Sequence, residues 1–280
     1  LSSGSFDVVI QGAARRRDRA SAYAAYRLLR RARLTPSAHT LNALMNAELR
    51  AGRPRAALGL LSRAEAGSPR WRGERPDSWS YGTAMSAALV ADDAVAASTL
   101  FARALAEPRL ARRLDVSAYN MELRARFARH DLASAVELYH SMASGRTSAP
   151  PPRTDTFNTL LDGFHRSAAD GGVAAGDGRD AADAAGVTTS AGTTSADSAG
   201  SSPQRVAPHI AAAAETANAK FKWVLSEMRR LRVEPDEVTL GLLMRSQRSL
   251  ANARRVWSWG CARELTGGSR SWHHLIEAYV

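Results

Sequence analysis

A motif that returns every 35 to 40 residues or so constrains this chain more than any other feature. Each copy opens with an aromatic or apolar residue and then a small or polar one: Phe6-Asp7, Leu41-Asn42, Tyr81-Gly82, Tyr119-Asn120, Phe157-Asn158, Leu240-Gly241 and Trp272-His273. An Ala-rich apolar stripe follows, and most copies close near Pro or Asp, as at Thr35-Pro36-Ser37, Arg75-Pro76-Asp77, Arg113-Leu114-Asp115 and Glu234-Pro235-Asp236. A period of this size marks supersecondary units too small to bury their own apolar faces. Neighbours must therefore stack.

Inside each copy the apolar spacing is helical twice over. Phe6, Val9, Ile10 and Ala13 fall on one face of a first helix, and Ala22, Ala25, Tyr26 and Leu29 on one face of a second. Pro36 is expected to end that second helix, since proline removes an amide donor and restricts the residue before it. The next repeat gives Leu41, Leu44, Met45 and Leu49, a Gly52 C-cap, then Ala57, Leu60, Leu61 and Ala64. In the fourth, Glu122 falls where a neighbour would place Leu or Ala, which signals either a register shift or a weakened seam. Strand signals are nearly absent, aromatic content is only 6%, and small residues suit close helix packing. The expectation is an all-α solenoid of antiparallel helix-turn-helix repeats. Their bounds are about 3–37, 38–77, 78–115, 116–153, 154–236, 237–268 and a partial 269–280.

One stretch breaks the pattern. From about residue 168 to 208 the chain is Ala, Gly, Ser, Thr and Asp with almost no large apolar side chain, too little to offset the entropy of ordering. It reads as a disordered insertion within the fifth repeat. Its acidic residues, among them Asp177, Asp180 and Asp183, would keep it away from a polyanion.

The formal net charge of +11 points to a polyanionic partner, nucleic acid first. Lys220 and Lys222 are the only lysines, and a bias to Arg also follows from GC-rich coding, so residue type adds little. Cys261 alone forms no internal disulfide and no multi-cysteine zinc site. No apolar run is long enough to span a membrane. The chain starts at Leu1 inside a repeat and stops at Val280 inside a first helix, so a fragment of a longer protein is expected.

Three stretches resemble the pentatricopeptide repeat family. Residues 157–164, Phe-Asn-Thr-Leu-Leu-Asp-Gly-Phe, are similar to its first helix, Ala135 to Met142 to its second, and Leu225 to Asp236 to its closing segment. The resemblance implies a right-handed superhelix whose concave face, lined by first helices, binds single-stranded RNA at about one base per repeat. It implies two readers in each repeat, the residue after the first helix's aromatic and the last residue of the repeat. Asn42 with Asp77 and Asn158 with Asp236 match the family's uridine-preferring Asn–Asp combination. Asn offers a base edge a donor and an acceptor, and Asp an acceptor that orients the amide. The pairs Asp7 with Ser37, Gly82 with Asp115, Asn120 with Arg153 and Gly241 with Gly268 depart from the pattern. Of the residues that would clamp a base, Val238 fits, while His39 and Trp79 offer stacking instead. The expectation is binding rather than a fully legible code.

The plainer reading of Asn42, Asn120 and Asn158 is that they satisfy free amides at helix N-termini. Arg15-Arg16-Arg17 and Arg112-Arg113 read as solvated turns, and Trp223, Trp257 and Trp259 as seam packing. No convergent set of carboxylates supports catalysis, and no cofactor or metal is expected. Two function classes remain. One is an RNA-binding array acting in organellar RNA processing, stability or translation, in mitochondrion or chloroplast and with other proteins of such a complex. The other is a helical scaffold for protein partners, including ribosome-associated ones. A lesser alternative is the repeat region of a protein-only ribonuclease P-like protein whose catalytic domain lies outside this chain.

Overall fold

The computed structural model describes residues 2–67, 71, 73–145, 147–174, 217–246 and 250–265. Those residues hold thirteen helices and no strand. They fall into two compact units, Leu1–Leu160 with Met228–Pro235, and Leu161–Glu227 with Asp236–Val280.

The first unit contains four complete hairpins: α1 (Ser3–Arg15) with α2 (Arg19–Arg31), α3 (Ala38–Arg50) with α4 (Pro54–Glu65), α5 (Ser78–Val90) with α6 (Ala94–Ala106), and α8 (Val116–Ala128) with α9 (Leu132–Ala143). A short α7 (Pro108–Ala111) follows α6, and α10 (Thr154–Ala174) begins a fifth hairpin. The turns within hairpins share one construction. Arg17, Gly52, Asp92 and His130 take positive φ, and the next amide, of Asp18, Arg53, Asp93 and Asp131, bonds back to the carbonyl of Ala13, Glu48, Ala88 and Arg126. Asp18, Asp93 and Asp131 then cap the second helix by accepting from the amides of Ser21, Ala96 and Ser134. One residue thus closes one helix and its neighbour starts the next. The Ser134 hydroxyl and amide hold the Asp131 carboxyl below the usual carboxylate range.

First helices pack on one another in a row, α1 on α3, α3 on α5 and α5 on α8, and α2, α4 and α6 each pack on the first helix of the following hairpin. Ala22, Ala57, Ala97 and Ala135, each the fourth residue of its second helix, are fully buried. A methyl there is what lets two helices approach, and a larger side chain would overpack. Leu41, Leu44, Met45, Met85 and Leu123 are also fully buried, each contributing about 1.5–3 kcal/mol by leaving water. Edge-to-face ring pairs join successive hairpins, Phe101 to Tyr119 at 5.0 Å and Tyr139 to Phe157 at 5.7 Å.

Several expectations are corrected. The second helix ends at Arg31, not at Pro36, because Arg33 takes positive φ and the Leu34 amide bonds to the Leu29 carbonyl. Val9 is 54% exposed because only one face of α1 is covered, by α2 and α3. Glu122 is no register shift: it is buried and paired to Arg126 at 2.7 Å through one oxygen, its other oxygen being buried without a partner, and Arg126 also donates to the Ser134 carbonyl. The hairpin pattern omitted α7, whose four residues are too few to show a period. Trp71 is buried against Tyr26, rings parallel with centroids 6.1 Å apart, and its indole N–H donates to the Glu74 carbonyl. It plugs a seam.

The second unit contains the remainder of α10, α11 (Ala217–Arg230) up to Glu227, α12 (Glu237–Arg245) and α13 (Leu250–Cys261). Phe164 meets Trp223 edge to face at 6.2 Å, and Leu240, Met244 and Ala253 form a core flanked by Val256, Trp257 and Trp259. Asp162 pairs with Arg245 at 2.8 Å, tying α10 to α12. The α10 helix runs on to Ala174, into the start of the stretch read as an insertion. The rest of that stretch, and the seventh repeat with Trp272 and His273, lie outside the described residues. No described helix is long and apolar enough to cross a membrane.

Candidate nucleic-acid interface

The first helices α3, α5, α8 and α12 start in the same way, and that start sets the geometry. The closing residues Ser37, Asp77, Asp115 and Asp236 are N-caps, each accepting from the amide three residues on. For Ser37, Asp77 and Asp236 the partner side chains Thr40, Ser80 and Thr239 return the bond, and these three are fully buried. The caps are therefore the closing residues, and the Asn residues are free of that duty. Asp7, Asn42, Gly82, Asn120, Asn158 and Gly241 are each the fifth residue of a first helix. Of these, Asp7, Asn42 and Gly82 border cavities along the row of first helices.

Two of the expected reader pairs are in contact. Asn42 Nδ2 donates to Asp77 Oδ1 across 3.3 Å, on the same oxygen that accepts from the Ser80 amide and hydroxyl. Asp7 accepts from Ser37 Oγ at 2.7 Å and from Thr40 Oγ1, so both of its oxygens are engaged inside the protein. Gly82 and Asp115 line one cavity without touching through side chains. Asn120 is 8% exposed and makes no hydrogen bond to Arg153 among the described residues. Asn158 is buried on α10 in the first unit. Asp236 caps α12 in the second, where Val238, one turn before Gly241, is exposed. Gly268 lies outside the described residues.

Two adjoining cavities run along the row of first helices in the first unit. One of about 700 Å³ lies between α1, α3 and α5 and is bounded by Asp7, Gln11, Asn42, Asn46 and Arg50. Another of about 260 Å³ lies between α3, α5 and α8 and is bounded by Asn46, Gly82, Ser86, Arg113 and Asp115. Trp79, Thr83 and Asn46 border both. Second, fifth, ninth and thirteenth residues of α1 and α3 form one stripe on the cavity wall, which α5 continues with its second, fifth and ninth. Its two ends differ in charge. Asp7, Asp77 and Asp115 stand at the N-terminal end, while Arg15 and Arg50 stand at the C-terminal end, Arg50 reaching the Arg15 carbonyl at 3.4 Å.

Three solved structures show a likeness to this chain. They are crystal structures of the pentatricopeptide repeat protein PPR10: one in complex with an 18-nt psaJ RNA element, a triple cysteine-to-serine form with the same element, and the protein from maize. The TM-scores are 0.45, 0.45 and 0.37 at 15%, 15% and 18% identity. Each match covers all of this chain and 41% of the other, so the chain spans about two fifths of their length. No family model and no curated protein matches. The likeness stops there.

Sequence reasoning missed Gln11, Asn46, Ser86 and Arg50 in the groove; Arg15 and Arg113 are exposed, as expected of turn charges, and also border the cavities. The signal was present, since Gln11, Asn46, Ser86 and Arg124 all stand four residues after the expected reader. It also missed the buried charges that brace hairpins. Glu48 accepts from Arg19 at 2.9 Å and from the Tyr23 hydroxyl at 2.6 Å, and burial followed by that bond pushes the Tyr23 phenol up. No cluster of His, Cys, Asp and Glu among the described residues is arranged to hold a metal ion.

Proposed function

We propose that the groove along the first helices binds single-stranded RNA. The observation that carries the reading is a reader pair in contact at the wall of the larger cavity. Asn42 borders that cavity and is held by Asp77, so its amide is oriented before any ligand arrives. An oriented amide offers a base edge both a donor and an acceptor. Phosphates then face Arg15, Arg50 and Arg113, consistent with the net charge of +11. The setting we propose from the sequence resemblance is organellar RNA processing, stability or translation, with proteins of such a complex as further partners.

The test is binding of the 280-residue chain to short single-stranded RNAs across a salt series. Affinity should fall steeply with salt, and Asn42→Ala should change preference at one nucleotide by about 1–3 kcal/mol, Asn158→Ala at another. Replacing Arg50 should weaken all sequences alike. Absence of RNA affinity even at low salt rejects the reading and leaves the protein scaffold.

A further inference from the structure

We propose that the ninth residues of three first helices, Gln11, Asn46 and Ser86, hold ribose 2′-hydroxyls of a bound strand and so select RNA over DNA. This rests on the RNA reading above. The fifth residues of α1 and α3 are already engaged: Asp7 accepts from Ser37 and Thr40, and the Asn42 amide donates to Asp77. One turn on, the ninth residues are not. Gln11 and Asn46 are exposed and Ser86 is half-buried, and among the described residues none of the three makes a hydrogen bond. All three border the cavities, and Asn46 borders both.

The spacing along a first helix matches the order of parts in a nucleotide. Four residues of helix rise about 6 Å, so fifth, ninth and thirteenth residues stand on one wall at even steps. On α3 these are Asn42, Asn46 and Arg50, and on α1 Asp7, Gln11 and Arg15. A nucleotide with its base edge at the fifth residue and its phosphate at the arginine lays its ribose beside the ninth. A 2′-hydroxyl both donates and accepts, and it is what distinguishes RNA from DNA at a given site. The amides of Gln11 and Asn46 and the hydroxyl of Ser86 can meet both demands, whereas a cation only donates and a carboxylate only accepts. On α5 the fifth and thirteenth residues are Gly82 and Val90, yet the ninth is still a hydrogen-bonding group, Ser86. On α8 the ninth is Arg124, which only donates, so the selection is confined to α1, α3 and α5.

The experiment compares a uridine dodecamer with its deoxyuridine counterpart by fluorescence anisotropy at low salt, using the 280-residue chain. RNA should bind at least about tenfold tighter, and Asn46→Ala should narrow that ratio about threefold. Gln11→Ala, Asn46→Ala and Ser86→Ala together should bring RNA affinity down to that of the DNA and leave DNA affinity unchanged. Replacing one uridine at a time by deoxyuridine should locate the position whose 2′-hydroxyl no longer matters once Asn46 is removed. Side chains without internal bonds leave the fold intact when truncated, which thermal unfolding verifies. Equal affinity for RNA and DNA, or a preference that survives the triple variant, overturns the inference and leaves the RNA reading standing. No RNA binding by the unmodified chain overturns both.

Discussion

The α3 and α5 starts are the same scaffold carrying different chemistry. Each follows a closing residue that caps the helix, each has a buried hydroxyl at the third position returning the bond, and each buries a methionine at the eighth, Met45 and Met85. On the groove side they part. α3 presents His39 and Asn42, the latter held by Asp77, and α5 presents Trp79 and Gly82. Residues that face the core answer to packing, which is the same for every hairpin. Residues that face the groove are released from it, so their identity reports on what the groove contacts.

If the scaffolds are equivalent, Met45→Ala and Met85→Ala should each cost about 2–5 kcal/mol, and by similar amounts. Urea unfolding measures this, and a cost twice as large at one site would break the equivalence. The caps give a finer comparison. Asp77→Ala and Asp115→Ala should each lose about 1 kcal/mol, with Asp77 the larger because Asn42 and the Ser80 hydroxyl lose their acceptor too. Asp→Asn at either position should restore most of it, since Asn caps as well. The smallest effect separates the helices by pH. At the fourth position α5 has Tyr81, whose hydroxyl donates to Glu65 at 2.6 Å, where α3 has Leu41. Burial and then that bond push the Tyr81 phenol up from 10.0 to about 12. The bond therefore stabilises fully below pH 10 and is lost as pH rises towards about 12. Tyr81→Phe should remove less than about 1 kcal/mol of alkaline-sensitive stability, since the pair is mostly buried but Glu65 keeps its ion pair with Arg103 when the phenol is lost. A melting temperature that falls equally in both proteins between pH 9 and 12 (about) would count against this assignment.

The core was legible almost residue by residue, because a face repeating at i, i+3, i+4 and i+7 survives in the sequence as a period. Ala57, Leu61, Tyr119 and Phe164 are buried as that period requires. The groove was legible only in part. Asn42 and Asp77 were paired through a family resemblance, since nothing in their own spacing says that residues 35 apart touch. Arg15 and Arg113 are the exposed turn charges the sequence suggests, but charge alone does not say that they also border a cavity.

What the sequence determined by itself was the helical period, the turn at Gly52, and the stacking of small units that cannot stand alone. These follow from interactions within a few residues, which local propensity and capping chemistry decide. Tertiary structure alone decided that Asn42 reaches Asp77 of the next hairpin and that Asp7 reaches Ser37 and Thr40. It also decided that Val9 is uncovered, that Trp71 is buried on Tyr26, and that Trp79 is left facing a gap at Gly82. Each of those depends on where one hairpin is set against the next. That setting comes from many buried contacts acting together, and no single residue carries it.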